Sequence, residues 1–181
     1  MTASDDPGLS ALRSRIRDIP DFPRPGVVFK DITPLLVDGG AFRATVERFV
    51  ERYRGRVDTV LGIESRGFII GAAVAYGLGT GLALVRKPGK LPHQTYAARY
   101  ELEYGSDALE IHHDAFAGNH RVLVIDDLLA TGGTASAAVE LVRRCGGKVV
   151  ACGFVIELDF LGGRQRLAGH EVFSLLHYDR P

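Results

Sequence analysis

Two adjacent carboxylates, Asp126 and Asp127, end the aliphatic run Val122-Leu-Val-Ile125 and are followed, after two leucines, by Ala130-Thr-Gly-Gly-Thr134. A carboxylate accepts hydrogen bonds and donates none, so paired acids suit a group that carries several hydroxyl donors. The small residues let peptide N–H groups close around an anion, and a helix beginning there points the positive end of its dipole at the same place. That dipole contributes roughly 0.3–1 kcal/mol to a bound phosphate, and up to about 2 kcal/mol when partly buried. Acids facing the phosphate would repel it. They must face something neutral and rich in donors, and a ribose diol fits. The other reading of these residues is an acidic metal-binding pair beside an ordinary turn, as in an open α/β receiver-like domain. A Walker loop is excluded because no Gly-Lys-Ser/Thr follows.

The elements that must position these groups can be read outward from them. An aliphatic run without alternation is expected of a strand buried on both faces of a parallel sheet. After the small-residue turn, Ala138, Leu141, Val142 and Cys145 recur at helical spacing, with Arg143 and Arg144 in the last turn and Gly146-Gly147 as the stop. The same plan occurs earlier: a buried strand at 59–63, the loop Glu64-Ser-Arg-Gly67, and a helix of small residues at 68–76. Its loop is a second candidate anion site at the same sheet edge. The strand at 81–85 runs into Arg86-Lys-Pro-Gly-Lys-Leu-Pro92, whose three cations suit a polyphosphate or, equally, a solvated loop. Strands at 148–156 and 172–176, with a short helix through Leu167 between them, complete the pattern.

Upstream, residues to Gly8 read as a frayed tail, and Leu9, Leu12 and Ile16 share one face of a short helix. Three prolines, Pro20, Pro23 and Pro25, then exclude regular helix, and the stiff segment ends on Phe29, either a base-stacking face or a core residue. Phe42, Val46, Phe49, Val50 and Tyr53 mark an amphipathic helix that Gly55 ends. Gly77-Leu-Gly-Thr-Gly81 lies between a helix and a strand, the reverse of the dinucleotide-binding order, and reads as a cap and turn. Residues 93–105 are polar and aromatic with no apolar face, as expected of a mobile flap. His112 and His113 are adjacent and would point to opposite sides of a strand, and His93, His120, His170 and His177 show no ligand spacing, so no protein-built metal site is expected.

Composition narrows the classes. A chain of 181 residues with 46% hydrophobic residues is one domain's worth of core. Lys plus Arg equals Asp plus Glu at 22 each, which leaves no bulk field for nucleic acid or an anionic membrane. Cys145 and Cys152 are the two cysteines, expected as reduced thiols of a cytoplasmic protein. The acidic start resembles no signal peptide, and no run of about 18 apolar residues appears.

The stretch from Val122 to Thr134 resembles the phosphoribosyl pyrophosphate motif of type I phosphoribosyltransferases. Phe22-Pro-Arg-Pro-Gly-Val-Val-Phe-Lys-Asp31 resembles the base-binding hood of the adenine-specific members. The resemblance covers nearly the whole chain from about Leu12. It implies a single α/β domain: a mostly parallel twisted sheet flanked by helices, with a small N-terminal hood (9–36), a core (37–181) and a flexible flap near 90–105. It further implies that Asp126 and Asp127 hold the ribose hydroxyls, while Ala130, Thr131, Gly132, Gly133 and Thr134 hold the 5′-phosphate. Ser65 and Arg66 would face the pyrophosphate, aided by Arg86, Lys87 and Lys90, with Arg66 also acting in catalysis. In relatives the Ser65–Arg66 peptide can be cis, and Glu64 stands where others often have Asp.

On the same basis adenine would lie between Phe29 and Leu158, its edge at the peptides around Val28. Lys30 stands where some members have Arg, and an ammonium lacks that planar fork. Glu101-Leu-Glu-Tyr-Gly105 resembles the family's lid motif, which by position makes Glu103 the acid–base carboxylate, with Glu101 its competitor. The implied reaction joins adenine and phosphoribosyl pyrophosphate to give AMP and pyrophosphate, with Mg²⁺ held mainly by substrate oxygens, in a cytoplasmic homodimer. A related purine (hypoxanthine, guanine or xanthine) and a non-catalytic regulator that binds phosphoribosyl pyrophosphate are the alternatives. The regulator is disfavoured by zero net charge and by the lack of an attached nucleic-acid-binding domain.

Overall fold

The computed structural model describes residues 6–101, 106–116 and 118–181. Of the tail expected to fray, residues 6–8 are described and start α1 (Pro7–Arg13), because the Asp6 carboxylate accepts from the Gly8 N–H at 2.8 Å and pairs with Arg48. Ile16 falls outside that helix. The hood follows as β1 (Arg17–Ile19) paired antiparallel with β2 (Phe29–Asp31), and the proline segment between them carries a cis Phe22–Pro23 bond. A short α2 (Thr33–Val37), absent from the sequence expectation, precedes α3 (Gly39–Tyr53), whose first turn is capped by Asp38 accepting from Gly40 and Ala41, both at 3.0 Å.

Next come β3 (Thr59–Ile63), α4 (Arg66–Leu78), β4 (Gly81–Val85), the hairpin β5 (Thr95–Glu101) and β6 (Ser106–His112), β7 (Arg121–Leu129), α5 (Gly133–Arg144), β8 (Lys148–Leu158) and β9 (Glu171–Tyr178). The expected short helix before β9 is two 3₁₀ turns, Asp159–Leu161 and Gly163–Leu167. The five long-range strands form one parallel sheet in the order β4-β3-β7-β8-β9. The chain runs outward one way from β3 and the other way from β7. Ligands in open α/β sheets bind where that direction changes, beyond the strand C-termini. The switch falls between the ends of β3 and β7, where the Ser65–Arg66 loop and the two acids stand.

The unalternated run in β7 now has its reason. Val122 and Val124 belong to a core with α5 and the hairpin, whereas Leu123 and Ile125 belong to a second core with α3 and α4 on the other side. Leu12, Ile32 and Leu35 join that second core, which anchors the hood.

The segment expected to be a mobile flap without an apolar face behaves otherwise in its described part. Tyr96, Ala98 and Tyr100 alternate along β5, and with Leu109 and Ile111 of β6 they pack on the α5-side core. The spacing is that of a strand, and a search for helical periodicity passes over it. Residues 102–105, and with them Glu103, lie outside the described residues.

Candidate active site

The acids do not follow β7; they lie inside it, since the ladder to β8 continues through Leu128 and Leu129. Asp127 is buried and Asp126 partly so, and this loss of water pushes both carboxyls above the ordinary range. Asp126 rises well above it because the neighbouring Asp127 charge adds to burial. At Asp127 the Arg66 guanidinium opposes the rise, with its Nε 3.0 Å from Oδ2. That oxygen is fully enclosed and accepts no well-aligned hydrogen bond. The acid pair therefore meets a cation, on Asp127, where the sequence predicts a neutral, donor-rich partner alone.

Arg66 opens α4, and no side chain caps this helix or α5. Their first-turn amides thus converge on the same cleft with hydrogen-bonding capacity for anions. Gly67 brings α4 against β7: a Cβ there would lie 2.8 Å from the Ile125 carbonyl and 2.9 Å from Asp126 Oδ1. The cis peptide of this loop is Glu64–Ser65, one residue earlier than the Ser65–Arg66 bond considered from sequence. At the start of α5, Gly132 takes φ +80°, a left-handed turn open to glycine at little cost.

A cleft of about 350 Å³ collects Ser65, Arg66, Lys87, Asp126, Asp127 and the whole turn from Ala130 to Thr134. Tyr100 and Asp107 of the hairpin also line it, and no local motif announced them. Lys87 Nζ lies 3.2 Å from Asp107 Oδ2, and the Tyr100 hydroxyl contacts both Asp107 and Thr134, which ties the basic loop, the hairpin and the Ala130–Thr134 turn together. The adjacent Ala108 N–H and Lys87 hold the Asp107 carboxyl below its usual range.

The other cations expected at the pyrophosphate are placed differently. Arg86 donates to both oxygens of Glu64, at 3.3 and 3.2 Å, and to the Lys90 carbonyl at 3.1 Å. The Lys87 N–H and Arg86 keep Glu64 ionised, its carboxyl below the ordinary range. Arg86 and Lys90 thus shape the loop, and Lys87 is the member of the trio that reaches the cleft.

At the hood, Phe29 meets Phe22 edge to face at 5.2 Å, and the Arg66 guanidinium lies 4.9 Å over the Phe29 ring. One arginine therefore touches both the aromatic platform and the acid pair. Val28 is half-buried beside Phe29, and Leu158 closes the end of β8 at 9% exposure. Lys30 departs from expectation. Successive strand residues point to opposite sides, so its side chain turns away from Phe29, is 3% exposed, pairs with Asp18 at 2.9 Å and lies 4.6 Å over Tyr178. Its ammonium serves the packing of the hood, and only its peptide remains beside Phe29.

Among the described residues, the one group of three ligand-type side chains within 4.8 Å is Glu157, Asp159 and His177. Sequence spacing gave no hint of it because β9 returns His177 beside the end of β8. The Glu157 oxygens are already engaged by Arg164 and Ser174, so this is an ion-pair network.

A cleft with two helix N-termini around a largely enclosed acid pair, at the switch point of a parallel sheet, fits the class of phosphoribosyl-transferring enzymes. Residues 36–168 match the model of the phosphoribosyl transferase domain, and the chain belongs to that family. Within it, a curated adenine phosphoribosyltransferase from Solibacter usitatus is 59% identical over 93% of this chain and 98% of its own length. The crystal structure of adenine phosphoribosyltransferase from Thermoanaerobacter pseudethanolicus superposes with a TM-score of 0.91 at 48% identity, over 94% of this chain and 99% of that one. The Saccharomyces cerevisiae adenine phosphoribosyltransferase, solved with adenine and an imino-altritol bisphosphate, gives 0.89 at 38% identity over 93% and 98%.

Proposed function

We propose that the protein transfers the 5-phosphoribosyl group of phosphoribosyl pyrophosphate to N9 of adenine, a purine salvage reaction yielding AMP and pyrophosphate. The observation that carries this reading is the meeting, in one cleft, of the Ser65–Arg66 loop, the acid pair and the Ala130–Thr134 turn. The relatives, which act on adenine by name, favour that base over other purines and favour catalysis over a purely regulatory role.

The 5′-phosphate rests on the amides of Ala130, Thr131, Gly132, Gly133 and Thr134, and Asp126 and Asp127 accept from the ribose hydroxyls. Pyrophosphate lies against the Ser65 peptide, Arg66 and Lys87. As the C1′–O bond breaks and the C1′–N9 bond forms, these groups stabilise the negative charge on the leaving oxygen. Adenine stacks on Phe29 against Leu158, a contact worth about 1–3 kcal/mol. The N9 proton passes to a carboxylate, for which Glu103 is the candidate.

Mg²⁺ fits this site as a companion of the substrate. Asp127 Oδ2, enclosed and without an aligned donor, is an acceptor that a ribose hydroxyl or the water of a hydrated cation satisfies. When bound, the ion neutralises phosphate oxygens.

Ile69 and Tyr76 share one face of α4, Tyr76 at 91% exposure, and Leu82 and Leu84 are exposed along the edge strand β4. This apolar surface supports a homodimer. Sedimentation of the free protein as a monomer at micromolar concentration would remove that part of the reading. No described helix is long and apolar enough to cross a membrane, and two free thiols support a reducing, cytoplasmic setting.

Steady-state turnover with adenine, hypoxanthine, guanine and xanthine tests the substrate. Adenine is expected to be preferred by about 10²-fold or more, since a site built to hydrogen-bond one edge leaves polar groups unpaired with another. Equal or better use of another base overturns the choice of adenine.

A further inference from the structure

We infer that the ion pair of the buried Glu157 with Arg164 positions the 5′-phosphate turn from behind, acting through Gly163. Glu157 is 3% exposed at the end of β8, and Arg164 grips it with both arms of its guanidinium, Nε to Oε1 at 2.9 Å and Nη2 to Oε2 at 2.5 Å. Ser174 Oγ donates to the same carboxylate at 2.6 Å, and Arg164 Nη1 reaches the Val172 carbonyl at 2.9 Å. The 3₁₀ turn Gly163–Leu167 is thereby clamped to β8 and β9.

The other side of that turn is the back wall of the phosphate cradle. A Cβ on Gly163 would collide with the Ala130 carbonyl and come within 2.9 Å of the Gly132 N–H, and a Cβ on Gly132 would collide with the Gly163 carbonyl. Two backbones approach here as closely as glycine permits. Any displacement of residue 163 moves Ala130 or Gly132, whose peptides face the phosphate. Glu157 and Arg164 touch no substrate, so they are positioning residues. Their neighbour Leu158 is the lip of the base site, which places one ion pair behind two subsites. The pyrophosphate loop at Ser65 and Arg66 follows β3, which lies on the opposite side of β7 from β8.

This inference rests on the phosphoribosyl reading of the cleft, and its signature separates the two subsites. Binding of ribose 5-phosphate and of pyrophosphate is measured by titration calorimetry on the parent protein and on two variants, Glu157→Gln and Gly163→Ala. In each variant affinity for ribose 5-phosphate is expected to fall about tenfold or more, the loss of one to two charge-assisted hydrogen bonds, with pyrophosphate affinity kept within about threefold. KM for phosphoribosyl pyrophosphate should rise by a similar factor, with kcat at saturation changed far less. Unchanged ribose 5-phosphate affinity in both variants overturns the inference. So does a parallel loss of both ligands, the mark of general destabilisation. Failure of the parent protein to bind ribose 5-phosphate would instead sink the phosphoribosyl reading itself.

Discussion

Replacing Asp126 and Asp127 together by asparagine is expected to cripple turnover while making the free protein more stable. Each carboxylate that accepts from a ribose hydroxyl contributes a charge-assisted hydrogen bond of about 1.5–3 kcal/mol, so loss of both lowers kcat/KM for the ribosyl donor by roughly 10²–10⁴-fold. Stability moves the opposite way. Both acids are held above their ordinary pKa in the folded chain, Asp126 by burial and the Asp127 charge, Asp127 by burial against the pull of Arg66. A raised carboxyl binds its proton more tightly folded than unfolded. The pair therefore favours the fold in acid and disfavours it increasingly as pH rises through the unfolded carboxylate range, near 4.

Asparagine does not ionise, so the double variant should melt above the parent at pH 7, with the difference shrinking toward pH 4. Arg66 loses its partner in the exchange, but its side chain is 33% exposed and water can serve it. Thermal melts at the two pH values, beside donor-dependent kinetics, check the trade. A variant that melts lower at pH 7 and still turns over at the parental rate would contradict both halves.

The second large effect is expected at Glu103, whose part in the reaction rests on the lid resemblance and on the need to move the N9 proton. Glu103→Gln should lower turnover by about 10²–10⁴-fold and remove the ionisation of that carboxylate from the pH–rate profile. Glu101→Gln should stay within about threefold of the parent if Glu101 is a solvated flap acid. An unchanged rate for Glu103→Gln removes its role, and a large loss for Glu101→Gln alone transfers it to the competitor.

How much of this was readable in advance depended on how local each feature is. The acid pair, the phosphate turn and the Ser65–Arg66 loop are contiguous stretches joined to their own strand and helix, so residue order alone announces them. α3 and α5 were equally plain, because apolar spacing and a cap or a glycine stop agree with one another. The direction of the Lys30 side chain stayed open because a motif fixes a position, whereas where a side chain points in a three-residue strand depends on its neighbours, here Asp18 and Tyr178. Gly163 was invisible: nothing near it in sequence says that it will lie against Ala130 and Gly132. The Lys87–Asp107–Tyr100 link was hidden for the same reason, since it depends on β6 folding back along β5. The short helix through Leu9 and Leu12 was legible from its spacing, but its start at Pro7 was not, because residues to Gly8 read as a frayed tail whereas Asp6 caps the helix and accepts from Arg48.

The central claim is that a sugar monophosphate lies with its phosphate in the Ala130–Thr134 turn and its diol on the adjacent acids. Crystals grown with AMP test it most directly. The account predicts phosphate density within hydrogen-bonding distance of the amides from Thr131 to Thr134, ribose hydroxyls on Asp126 and Asp127, and the purine on Phe29 with the Arg66 guanidinium moved off that ring. Density that places the phosphate anywhere else, with Asp126 and Asp127 untouched by the ribose, would contradict it.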